Sequence, residues 1–83
     1  MTTQTHINIH VLAFGQIADI IGQSTINYST PDTLLAFKTK IENDYPLLSK
    51  IVYRIAINKK MALEDTDLHE ADELALLPPF SGG

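Results

Sequence analysis

Only one stretch of this chain carries a helical stripe long enough to cover a sheet, and that limits the architecture more than any other feature. Leu34, Phe37 and Ile41 are spaced three and four apart, with Tyr45 continuing the series. That spacing puts them on one face of a helix. Thr30-Pro31-Asp32-Thr33 reads as its start. Thr30 or Asp32 can cap the free amides, Pro31 suits the first turn, and Asp32 suits the positive end of the dipole. Pro46 stops the helix at or before Tyr45.

Most of the remaining apolar pattern has period two. Ile7, Ile9, Val11 and Ala13 alternate with His6, Asn8, His10, Leu12 and Phe14, which predicts a strand with its odd face in the core. Gly15 ends it. Gln16–Ile21 reads as a short helical turn with Ile17, Ala18 and Ile21 inward, stopped by Gly22. Gln23–Ser29 reads as a second strand, antiparallel to the first. Ile51–Asn58 is a third, with Tyr53, Ile55 and Ile57 on the core side. Asn58-Lys59-Lys60 is a turn and Met61–Leu63 a short strand. Glu64–Ala71 is polar, with room for one helical turn around Leu68. Glu73–Leu77 is the last strand, Leu74 and Leu76 inward, Ala75 and Leu77 outward.

One helix over a mixed four- or five-stranded sheet is an α+β two-layer arrangement. Placing the first and last strands parallel at the sheet centre gives the β-grasp (ubiquitin-like) order. The expected organisation is one domain over residues 1–77 with an extended tail over 78–83.

The tail carries the chemistry. Leu77 is followed by Pro78-Pro79-Phe80-Ser81-Gly82-Gly83. Two prolines cannot donate to a ladder and hold the chain extended. Two glycines have no Cβ, so a partner can grip their backbone closely and pass them through a narrow channel. A carboxylate on Gly83 is a handle that can be activated as a mixed anhydride and then attacked.

Composition excludes several alternatives. With 83 residues and no cysteine, a disulfide framework, a cysteine-rich zinc site and a cysteine nucleophile are ruled out within this chain. A net charge of −4 argues against nucleic acid as a partner. No apolar run reaches membrane-spanning length, and no basic region with an apolar core opens the chain. The expectation is a soluble cytoplasmic protein without membrane partners. His6 and His10 share a strand face but lie about 13 Å apart along it, too far for one metal ion. Ser81 has no visible base beside it. No metal site and no bound cofactor are expected.

All six basic residues fall between Lys38 and Lys60, and six of the ten acids between Glu64 and Glu73. The acids directly precede the last strand, so a partner that receives the tail is expected to be basic around its entrance. Asp72 and Glu73 are the acids closest to that strand. Leu12, Phe14, Ala56, Ala75 and Leu77 are expected to form an outward apolar patch on the sheet face that one helix leaves uncovered. With Asp72 and Glu73 they are the expected partner interface.

These residues carry a resemblance. The strand ending in Phe14-Gly15, the Thr33-Leu34 helix start with Phe37 and Ile41, the Ile55-Ala56-Ile57-Asn58 strand, and above all residues 72–83 resemble the small subunits of molybdopterin synthase, a family of ubiquitin-like sulfur carrier proteins. The family usually has Gly-Asp-Glu before the last strand; here Ala71 stands in place of that glycine, which would have permitted positive φ in the turn.

The resemblance implies a sequence of events. A ubiquitin-activating-enzyme-like adenylyltransferase spends ATP to adenylate Gly83, which then becomes a thiocarboxylate. The tail enters the large subunit of molybdopterin synthase, forming a hetero-oligomer, and delivers sulfur to cyclic pyranopterin monophosphate. Gly82 would give the slim approach. Pro78, Pro79, Phe80 and Ser81 would position the tail, and catalytic side chains would belong to the partners. Other readings stay open. They are a thiamine-thiazole sulfur carrier, a ubiquitin-like modifier, or a non-catalytic β-grasp binding module.

Overall fold

Alternation builds the first strand, β1 (His6–Ala13), whose odd residues are buried and whose even residues face outward. The computed structural model describes residues 6–62 and 65–78. A short helix, α1 (Gln16–Ile21), follows and ends on Gly22 in the left-handed conformation. Then come β2 (Thr25–Pro31), the main helix α2 (Leu34–Asp44), a 3-10 turn over Pro46–Lys50, β3 (Arg54–Ile57), β4 (Lys60–Met61) and β5 (Glu73–Leu77).

The strands form one mixed sheet in the order β2-β1-β5-β3-β4. β1 and β5 are parallel neighbours, as the β-grasp order requires, and the other pairs are antiparallel. Among the described residues no helix is long and apolar enough to cross a membrane. Leu34, Phe37 and Ile41 of α2 press onto the odd face of β1 and onto Leu74 and Leu76 of β5, with Ile17, Leu48 and Leu68 sealing the rim. Tyr28 and Phe37 meet edge to face with ring centroids 5.7 Å apart, a favoured aromatic geometry.

Several boundaries differ from the sequence expectation, each for a physical reason. Thr30 and Pro31 do not open the helix. They pair with Ile7 and His6 as the end of β2, an edge strand that tolerates a terminal proline. The cap is Thr33, whose Oγ1 accepts from Ala36 N at 3.2 Å. Two more first-turn amides find partners far along the chain. Leu34 N donates to Thr66 O at 2.8 Å, and Leu35 N donates to an Asp65 carboxylate oxygen at 2.8 Å.

That use of residues 65–67 replaces the helical turn expected around Leu68. Asp67 instead forms an isolated bridge with Thr33, and Leu68 drops into the core. β3 begins at Arg54, not Ile51. Ile51 and Tyr53 still pack against the core from outside the ladder. The 3-10 turn was not read from sequence; it exists to bury Leu48. β4 is shorter than the expected Met61–Leu63 strand, and Leu63 lies outside the described residues.

The turn between β3 and β4 has Asn58 at φ 49 and Lys59 at φ 72, the two positive values a two-residue hairpin of the right twist demands. Ala71 sits at φ 69, so the turn before β5 keeps a left-handed residue although a Cβ is present. Its amide donates to Asn8 O at 2.8 Å, which holds it there. Left-handed backbone costs an L-residue roughly 1–2 kcal/mol, partly offset in glycine by its larger unfolded-state freedom. Ala71→Gly is therefore expected to raise stability by about 0.5–1 kcal/mol. Thermal unfolding checks this: a rise of a few degrees is expected, and an unchanged or lower melting temperature refutes the strain account.

Candidate functional site: the root of the C-terminal tail

β5 carries the chain to the tail from the middle of the sheet. Leu74 and Leu76 are fully buried, which pins the strand in register. The register also fixes what surrounds its end. Ala13 of β1 pairs with Leu76, so Phe14 and Gly15 run on beside Leu77 and Pro78. On the other side Arg54 of β3 pairs with Leu77. The root of the tail is thus held between the end of β1 and the start of β3.

Gly15 is a position that needs glycine. Its φ of 55 and ψ of −128 lie where a side chain is not accommodated. A Cβ there would meet Pro78 Cγ at 3.4 Å. Sequence reading saw Gly15 only as the stop of β1. Its packing on Pro78 emerges from the parallel β1–β5 pairing, which joins residues 63 positions apart. Pro79, Phe80, Ser81, Gly82 and Gly83 lie outside the described residues.

The expected outward patch is assembled by register. Leu12 pairs with Ala75, Ala75 with Ala56, and Ala56 with Met61, one apolar row across four strands. Phe14 and Leu77 flank it towards the tail. Phe14 is 46% exposed, while Leu12, Ala75 and Leu77 are half-buried. Ala56 departs from the expectation: it is only 6% exposed. It sits in the middle of the row, so it offers a shallow floor rather than a contact.

Asp72 and Glu73 differ in what they do. The Asp72 carboxylate accepts from Asn58 Nδ2 at 3.0 Å and from His69 N at 2.8 Å. His69 Nδ1 is 3.9 Å away. The Asn58 amide oxygen accepts from Glu73 N at 3.0 Å, and Asn58 N donates to Glu73 O. Asp72 is therefore a lock between two turns, with its side chain only 14% exposed. Glu73 faces outward opposite His10, and His10 Nδ1 lies 2.8 Å from Asn27 Oδ1. Sequence reading placed Asn58 at the end of a strand and the start of a turn. The Asn-Lys pair marked the bend, but nothing local showed that its amide would clamp β5.

Beside the root, the Tyr53 hydroxyl donates to a Glu42 carboxylate. Burial first, and that hydrogen bond second, push its pKa well above the usual phenol value. Tyr53 stays neutral and fastens β3's approach to α2. Among the described residues, the contacts around the root hold β5, β3 and α2 in place.

The comparisons with known proteins agree with this geometry. A molybdopterin synthase sulfur carrier subunit from Dictyostelium discoideum is 31% identical over 80 residues, covering 88% of this chain and 93% of that protein. One of the same name from Caenorhabditis briggsae is 29% identical over 83 residues, covering 93% and 99%. The solution structure of small archaeal modifier protein 1 from Methanosarcina acetivorans superposes with a TM-score of 0.79 at 22% identity, covering 95% of this chain and 99% of that one. That likeness establishes the ubiquitin-like β-grasp fold. The ThiS family model matches residues 11–83, from the second half of β1 through the tail, and this chain belongs to the ThiS family.

Proposed function

We propose that this protein is a sulfur carrier of molybdopterin synthase, with Gly83 as the carrying residue. The observation that bears most weight is the match to two sulfur carrier subunits of that enzyme over 88% and 93% of this chain. Family membership through residue 83 and the central placement of β5 support it.

The chemistry follows from a carboxylate at Gly83. Such a carboxylate is a poor electrophile. Adenylation by ATP, releasing pyrophosphate, turns it into an acyl adenylate. Hydrosulfide from a donor then displaces AMP and leaves a thiocarboxylate. In the large subunit, that sulfur forms a bond to carbon of cyclic pyranopterin monophosphate, and water returns Gly83 to a carboxylate. The chain's own contribution is geometric. Gly15 and the β1–β5 register set the direction in which Pro78 leaves the sheet. Gly82 lets the reactive carbon pass a narrow channel. The apolar row and Phe14 give the partner a surface to dock on.

Intact mass after incubation with ATP, sulfide and an adenylating enzyme of the family tests this. Exchange of one oxygen for one sulfur is the expected result. No change, with an enzyme shown to load another carrier, overturns it and shifts weight to a binding module. Supplying the large subunit and cyclic pyranopterin monophosphate to the loaded protein then tests the acceptor. Return of the mass to the carboxylate form is expected. A loaded carrier that keeps its sulfur points to the thiazole or modifier readings.

A further inference from the structure

The two edges of this sheet are built differently. β4 closes one edge with only two residues, one of them Lys60, and Lys59 precedes it. Short length and lysine are common protection against pairing with another chain. β2 closes the other edge. It is seven residues long, and Thr25-Ile26-Asn27-Tyr28-Ser29-Thr30-Pro31 contains no charged residue. Pro31 blocks only its last position.

Register shows what the free edge offers. Ala13 N donates to Ser24 O at 2.8 Å, whereas His10 N donates away from β2, to Asp72 O at 2.9 Å. Odd residues of β1 therefore bond to β2, through their ladder partners Ile26, Tyr28 and Thr30. The backbone N–H and C=O groups of Thr25, Asn27 and Ser29 point the other way, out of the sheet edge. Among the described residues nothing bonds to them, and all three residues are exposed. The Asn27 side chain does not cover the edge. Its Oδ1 lies 2.8 Å from His10 Nδ1, so it leans inward over β1.

We propose that β2 pairs with β2 of a second copy of this chain, antiparallel and centred on Asn27, joining two five-stranded sheets into one. Self-complementarity commits the occupant. A two-fold axis at Asn27 sets that residue opposite its own copy, and Thr25 opposite Ser29 of the other copy. Residues opposed in this way exchange both hydrogen bonds, so every outward group of the three residues finds a partner. The facing side chains agree as well. On the open sheet face only Thr25, Asn27 and Ser29 meet across the joint, with no charge among them. On the helix side the same register sets Ile26 of one copy opposite Tyr28 of the other, an aromatic and β-branched pair. Both are half-buried in the single chain and have surface left to bury. Tyr28 is already fixed in place, its hydroxyl donating to Asp44 and its ring edge to face with Phe37.

The dimer does not rest on the carrier reading and does not obstruct it. β1 lies between β2 and β5, so neither tail root is at the joint. The two-fold axis sends the two tails out at opposite ends of the joined sheet.

One strand pair makes an interface smaller than a permanent one, so a weak, exchanging dimer is expected, with a dissociation constant of roughly 0.1–1 mM. Sedimentation velocity of the full chain from about 10 μM to about 2 mM tests it, and a shift from monomer towards dimer is expected. Asn27→Lys sets two ammonium groups face to face at the axis, and Ser29→Pro removes an outward N–H that β1 does not use. Each is expected to weaken association roughly tenfold or more, with melting temperatures confirming the fold. Phe14→Ser, beside the apolar row, is expected to associate as wild type. Single cysteines read the register independently, because the chain has none of its own. Asn27→Cys puts the two Cα atoms about 5.5 Å apart, within disulfide reach, and is expected to cross-link in a glutathione buffer. Ser29→Cys sets them about 13 Å apart along the strands and is expected to stay unlinked. A wild type that stays monomeric at the highest concentration overturns the inference. So does full association in both Asn27→Lys and Ser29→Pro, its loss in Phe14→Ser, or equal cross-linking of the two cysteine variants.

Discussion

Removing Gly82 and Gly83 is expected to abolish sulfur loading completely while leaving the melting temperature within about 2 °C of the intact chain. The two halves of that result have separate causes. Loading is lost because the shortened chain ends at Ser81. Its carboxylate then sits two residues short, about 7 Å of extended chain, and carries a side chain where the proposed carrier presents glycine. Stability is kept because the ladder of β5 ends at Leu77 and every buried apolar residue identified lies between Ile7 and Leu76. Mass spectrometry reads the first half and thermal unfolding the second. Loading that persists without the glycines would return the chain to the binding-module class. A large drop in melting temperature would show that the tail takes part in the fold.

The parts of this fold that sequence revealed are those carried by short-range periodicity. The stripe Leu34, Phe37 and Ile41 repeats every three to four residues, and each member is buried. Leu74 and Leu76 alternate and are buried. Gly22 announces the end of α1 by its own chemistry. What stayed hidden depends on contacts between distant segments. Asp65 caps Leu35 across 30 positions, a role no local pattern around Asp65 displays. Thr30 looked like a cap because it precedes a proline and a helix, but pairing with Ile7 outweighs that use. At the candidate site the tail was legible as Pro-Pro and Gly-Gly. Its surroundings were not, because Arg54 and Gly15 reach the root only through strand order. The acidic run was legible as a charge cluster, and the fold places Asp72 and Glu73 at the start of β5, the opposite end of that strand from the tail.

Phe37→Ala is expected to produce the opposite dissociation, and the pair of variants together separates fold from chemistry. Phe37 is fully buried at the centre of the helix stripe, and its ring meets Tyr28 edge to face. Tyr28 in turn donates to Asp44, and the Lys40 ammonium lies 4.4 Å from the Tyr28 ring centroid. Truncation removes the largest fully buried side chain among the described residues and leaves a cavity that a small core closes poorly. The expected cost is about 3–5 kcal/mol, against a total of roughly 5–15 kcal/mol for a native domain. The melting temperature is expected to fall by roughly 15–30 °C, with a proportionate drop in the urea midpoint. Sulfur loading at a temperature below the new transition is expected to stay near wild type, because Gly83 and the root formed by Gly15, Arg54 and Leu77 are untouched. As temperature rises, loading is expected to fade with the folded fraction, since the proposed docking uses the sheet face as well as the tail. A cost below about 1 kcal/mol would mean that α2 is not the element holding the sheet. Loading that continues after the chain has melted would mean that the tail is recognised as a peptide, and that the β-grasp domain serves only to carry it.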